Sequence, residues 1–195
     1  MQLRKIYIAI FACLVLANCS QNTIRYPVNL ATIEPQSKTR ALPSVLDLRP
    51  ETEKERIDFG YGIGQISDKR FSVDKMTYLQ SKLAHNTDIK SAKVIKFQHI
   101  IDLSHSVAVG QAIAIESALA ATQGGYWHSP RPKGQNSVYC ELQMVINNTT
   151  YSGYAEAFFP HKVYWFSPYE RDDIKQLLVQ ITDEAIEQIV SETKQ

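Results

Sequence analysis

Cysteine, net charge and long apolar runs are all scarce in this 195-residue sequence. The three cysteines, Cys13, Cys19 and Cys140, form no paired motif, and the five histidines show no zinc-ligand spacing, so no metal site and no cofactor is assigned. With 21 basic and 20 acidic residues the formal charge is only +1, which gives no electrostatic footprint for a nucleic-acid partner. Hydrophobic residues make up 44% of the chain, too many for a disordered segment. The longest apolar run, Ile6 to Ala17, is well short of the roughly 20 residues that a membrane-spanning helix requires. Catalytic signatures are scarce as well. Gly60, Gly62 and Gly64 lack the spacing and the strand-to-helix context of a dinucleotide loop. Ser104-His105-Ser106 is the only adjacent Ser/His group, and neighbouring side chains at a strand end rarely face one another. Glu51, Glu53 and Glu55 read as a solvated charge run. No catalytic residue is assigned.

What is present begins at the N-terminus. Arg4 and Lys5 precede the apolar run, which ends in Asn18-Cys19-Ser20, the order of a secretory signal. Leu16-Ala17-Asn18-Cys19 resembles the lipobox of bacterial lipoproteins. That resemblance implies removal of residues 1–18, a diacylglyceryl thioether on Cys19 and an amide-linked, palmitate-class acyl chain on its new amino group. Several chains are enough for lasting attachment, whereas a single acyl chain holds only marginally, at about 0.8 kcal/mol per buried CH₂. Ser20, standing where an aspartate would favour inner-membrane retention, implies the outer membrane, with the domain facing the periplasm. The competing reading is cleavage beyond Ala17 with Cys19 incidental. With Cys13 in the signal and Cys19 acylated, Cys140 has no intramolecular partner and is expected as a small buried hydrophobe.

Residues 19–43 are polar and marked by Pro27, Pro35 and Pro43, the composition of a tether. Such a segment reaches at most about 80 Å extended and averages roughly 25–30 Å as a coil. A single domain is expected over 44–195. Ser44–Arg49 is a strand candidate, and Pro50–Arg56 is expected to be a solvated connection. Ile57, Phe59, Tyr61 and Ile63 alternate with Asp58 and three glycines, which predicts one strand over 57–64, the glycines admitting a close backbone or a bulge. A helix is expected from Phe71 to Asn86, with Ser72 as N-cap, Phe71 and Met76 as a hydrophobic staple, and Val73, Met76, Leu79 and Leu83 as its apolar stripe. In the strand from Lys93 to Leu103, Ile95, Phe97, His99, Ile101 and Leu103 are predicted on one face, with His99 as a hydrogen-bonded core residue. Val107–Gln123 fits either period; its alanines and Gly124-Gly125 favour a helix. A hairpin turning at Asn147-Asn148 and a helix capped by Ser167-Pro168 and Glu170 complete the chain.

This order predicts an α+β fold: a largely antiparallel sheet with helices packed on one face, a two-layer α/β sandwich. Leu46-Asp-Leu-Arg49, Ile57-Asp-Phe-Gly60 and the helix after them resemble small Gram-negative lipoproteins of the YajG type, which implies a lipid-tethered α/β domain and supplies no catalytic residues. Two segments concentrate the residues that anchor interfaces. One carries Trp127 and Arg131; the other, Phe158 to Tyr169, carries Tyr164, Trp165 and Phe166. The functional expectation is therefore a non-enzymatic accessory or binding lipoprotein with an envelope protein as partner. An envelope hydrolase with a dispersed site, or a lipid- or glycan-binding module, remains the alternative.

Overall fold

The computed structural model describes residues 42–55, 57–60, 62–85, 89–123, 134–159 and 172–194. Its elements are β1 (Ser44–Asp47), α1 (Glu51–Lys54), β2 (Ile57–Gly60), β3 (Ile63–Gln65), α2 (Lys75–Leu83), β4 (Ser91–Asp102), α3 (Ser104–Gln123), β5 (Asn136–Ile146), β6 (Thr149–Phe159) and α4 (Asp172–Glu192). The α+β class stands: six strands form one sheet, and only the β1–β4 pair is parallel.

The sheet is built on β4, β5 and β6. Asn147 and Asn148, both at positive φ, make the tight turn of the β5–β6 hairpin, a conformation that asparagine tolerates better than most residues. Period-2 alternation then sets the faces. Val138, Cys140, Leu142, Met144 and Ile146 are all buried on the face that receives the helices. In α4, Ile174, Leu178, Ile181, Ala185, Ile186 and Ile189 form the buried stripe, each side chain contributing roughly 1–3 kcal/mol on leaving water. Gly153 lets α4 approach, since a Cβ there would stand 2.1 Å from the Ala185 carbonyl oxygen. Tyr78 of α2 donates to Asp183 at 2.6 Å, and Lys82 pairs with the same carboxylate, tying the two helices together.

Four local expectations are corrected. The strand expected over 57–64 is two antiparallel strands, because Gly62 takes φ +82° and reverses the chain; a register shift between Asp58 and Gly60 adds a bulge. In β4 an irregularity between Val94 and Lys96 places two residues against one step of β5. The alternation therefore slips by one: Val94 is buried and Ile95 is exposed, while Phe97 and His99 keep the core face. Helix α2 starts later than Ser72. Asp74 is its N-cap, accepting from the Thr77 amide at 2.8 Å, so Phe71 stands three residues before the cap, outside the staple position, and is buried against the His99 ring. Finally, Pro50–Arg56 is not simply solvated, because Glu53 in α1 is buried. Val107–Gln123 is helical, as expected, within α3. The Ser167-Pro168-Glu170 cap lies outside the described residues.

Candidate functional site

All the residues singled out for attachment or partner binding, Cys19, Trp127, Arg131, Tyr164, Trp165 and Phe166, lie outside the described residues. Their flanks do not. The first segment returns to the sheet at Asn136 and the second leaves it at Phe159, and these two residues are register partners across β5 and β6. Both segments are therefore rooted at one end of the hairpin.

The outer sheet face at that end carries exposed aromatic surface. Phe158 is 59% exposed and Tyr154 48% exposed, on the face opposite α4. Tyr154 packs beside Tyr139, ring centroids 5.9 Å apart, and its hydroxyl donates to Glu156 at 3.0 Å. Partial burial and the neighbouring Glu156 carboxylate push the Tyr154 phenol up to about 12, so it stays a neutral donor. The edge of β6 is occupied at this point. The Gln188 amide of α4 accepts from the Tyr154 backbone N–H at 2.9 Å and donates to its carbonyl at 2.8 Å. A partner strand cannot pair at Tyr154.

A second cluster lies inside the domain, and sequence reasoning missed it. β1 and β3 both run along the same edge of β4, β1 beside Ser91–Val94 and β3 beside Ile100–Asp102. Between them, on this edge, the N–H and carbonyl of Phe97 meet no neighbouring strand. Glu53 accepts its N–H at 2.6 Å, while Lys75 and Arg49 donate to its carbonyl at 3.2 and 3.3 Å. Arg49 also grips Asp47 through Nε and a terminal nitrogen, both at 3.0 Å, and reaches Asp68 at 2.8 Å; Lys75 pairs with Asp68 at 2.7 Å. Arg49, Glu53 and Lys75 are almost fully buried. Buried charges persist only when paired and hydrogen-bonded, and here they also satisfy backbone groups that would otherwise be stranded. Burial alone would raise the Asp47 carboxyl, but its hydrogen bonds and charge pairing with Arg49 hold it below its ordinary value. Burial lowers the Lys75 ammonium against the opposing pull of Asp68.

His99 sits beside this cluster, fully buried between the Phe71 and Phe97 rings. The Thr182 hydroxyl donates to the Leu178 carbonyl at 2.5 Å, so toward His99 Nε2, 2.8 Å away, it must accept. That fixes the tautomer with the proton on Nε2. Nδ1 has no hydrogen-bond partner and faces a site where a second proton would bury an unpaired cation. Burial, followed by the nearby Lys75 and Arg49 charges, holds the imidazole well below its ordinary value. It is a neutral core residue. Cys140 is likewise buried, and burial pushes its thiol up to about 12.

Ser106 forms a reciprocal pair with Asn136, its N–H donating at 3.1 Å and its hydroxyl accepting at 2.8 Å, which ties the first turn of α3 to β5. Among the described residues no group of His, Cys, Asp or Glu side chains is arranged to hold a metal ion, and no helix is long and apolar enough to cross a membrane. Compared with known families, curated proteins and solved structures, the chain matches none.

Proposed function

We propose that this chain is a non-enzymatic accessory or binding lipoprotein, held at the periplasmic face of the outer membrane by acylated Cys19. In this reading one end of the sheet engages an envelope protein. The observation that carries the binding half is the Asn136–Phe159 register pair: the two aromatic-rich segments are rooted together, beside exposed Phe158 and Tyr154. Interfaces draw most of their affinity from a few Trp, Tyr and Arg anchors, and Trp127, Arg131, Tyr164, Trp165 and Phe166 are of that kind. The attachment half rests on Leu16-Ala17-Asn18-Cys19 and the proline-marked tether after it.

Crosslinking in intact cells followed by purification from membranes tests the binding half. A stoichiometric envelope protein is expected, and Trp127→Ala with Trp165→Ala should release it while leaving the circular dichroism of the domain intact. Turnover of an envelope substrate by the purified protein would overturn the reading in favour of an enzyme. Fatty-acid labelling tests the attachment half: wild type should be labelled and Cys19→Ser should not.

A further inference from the structure

The opposite end of the same sheet face has a different character. Leu46 and Leu48 project from the outer face of β1 and are 51% and 52% exposed, and Leu42 just before the strand is 49% exposed. The Leu48 N–H bonds the Val94 carbonyl, which continues the parallel register and sets Leu48 beside bulged Ile95, itself 38% exposed. Lys93, the register partner of Leu46, is exposed on the same face, and Lys90 is exposed at the start of β4. Along the outer face of β1 and β4, from Ser44 to Gln98, no described side chain is a carboxylate; Glu141, the first on β5, is already paired with Lys96.

We propose that this corner, Leu42, Leu46, Leu48 and Ile95 with Lys90 and Lys93, rests on the anionic phospholipid surface of the leaflet that holds the anchor. The proposal depends on the anchoring part of the function proposed above. Three observations select a bilayer as occupant. The chain that leads back to Cys19 enters the domain here: Pro43 is buried, and its carbonyl accepts from Gln80 at 2.7 Å, so the root of the tether is fixed beside the patch. If the segment from Cys19 to Pro43 is the coil its composition implies, its average span of roughly 25–30 Å keeps the leaflet at high effective concentration, so a weak surface affinity is sufficient. The charge is complementary, since lysines flanking aliphatic side chains suit an interface of anionic headgroups over acyl chains. A second copy of the chain fits less well. A patch on the order of 300 Å² is far smaller than the roughly 800 Å² that each partner of a stable dimer buries. Phe158 lies eight residues along β6 from Thr150, which belongs to the Leu46 cross-strand row. At about 3.3 Å per residue the aromatic end lies roughly 26 Å from this row along the sheet, clear of the contact made by the corner.

The test uses full-length acylated protein in vesicles of phosphatidylethanolamine and phosphatidylglycerol that contain a headgroup nitroxide lipid. A fluorescent amino acid replaces either Ser91, on the corner, or Glu156, near the aromatic end. Quenching several-fold stronger at position 91 than at 156 is expected. It should fall to the 156 level with Leu46→Gln, Leu48→Gln and Lys93→Glu together, while the intact mass still shows the acyl chains. Equal quenching at the two positions overturns the proposal, as does strong quenching at 91 that survives the triple substitution. Protection of position 91 without quenching means that the tether or a second copy covers the corner, and overturns it too. A missing acyl mass would count against the anchor alone. In that case Cys19 is coupled to a maleimide lipid and the same ratio is measured.

Discussion

Replacing Glu53 by alanine should be among the most damaging single changes in the domain, although the sequence presents it as the middle of an exposed acidic run. Its carboxylate is buried and accepts the Phe97 N–H at 2.6 Å, at the one stretch of the β4 edge that neither β1 nor β3 covers. Truncation removes a charge-assisted hydrogen bond and strands a buried amide, which costs about 1–3 kcal/mol. With a urea m-value of roughly 2 kcal/mol/M, the midpoint should drop by about 0.5–1.5 M. Glu53→Gln keeps an acceptor for Phe97 and should lose roughly half as much. Glu51→Ala, at a side chain 87% exposed, should shift stability by no more than about 0.5 kcal/mol. Equilibrium urea unfolding followed by circular dichroism compares the three. If Glu53→Ala and Glu51→Ala had the same midpoint, the carboxylate would not be closing the gap in the sheet.

Three more outcomes can be checked on the same protein. Because folding holds His99 neutral and its pKa below the unfolded value, the unfolded state takes up the extra proton. Stability is then complete above pH 6.5 and lost as pH falls, by up to about 1.4 kcal/mol per unit; His99→Gln should flatten the loss between pH 7.5 and 5, and an unchanged pH slope would show that folding does not hold His99 neutral. Gly153→Ala places a Cβ against the Ala185 carbonyl and should cost roughly 3 kcal/mol, whereas Gly110→Ala in α3, with nothing within 4 Å, should stabilise by up to about 1 kcal/mol; thermal melts that rank the two the other way would contradict the packing of α4 on β6. The Cys140 thiol, buried and pushed up to about 12, should ignore a thiol reagent in native protein and react at once in urea; fast labelling in the native state would show that the β5 core opens.

The elements legible in the sequence are those whose signal is local. Asn147-Asn148 specifies a turn by its tolerance of positive φ, and the apolar positions of α4 and β5 follow their periods without interruption. Where a feature depends on what lies across the sheet, the signal disappears. The bulge at Ile95 reverses which side chain is buried, yet Val94 and Ile95 are equally hydrophobic, so composition cannot tell them apart. Glu53 reads as solvated because nothing nearby in sequence reveals that Phe97, 44 residues later, needs an acceptor. Asp47, Arg49, Asp68 and Lys75 are ordinary charged residues until the fold gathers them. The Gly60–Gly64 run is ambiguous in kind: three glycines on alternate positions admit a close backbone or a bulge, and the fold uses both, with a bulge between Asp58 and Gly60 and with Gly62 lying so close to the Leu103 backbone that a Cβ would stand 3.0 Å from it; that Gly62 also turns the chain is not legible in the spacing. For the candidate site, residue type pointed to Trp127 and Trp165, while the joining of their segments at Asn136 and Phe159 emerges only from strand register.

The central claim, a tethered domain that binds through the aromatic end of its outer sheet face, is tested most directly by photocrosslinking in living cells. A photoreactive phenylalanine analogue in place of Phe158 should capture one discrete envelope protein, and the same analogue in place of Thr150, at the other end of β6, should not capture it. No adduct at position 158, or the same adduct from both positions, would contradict the account.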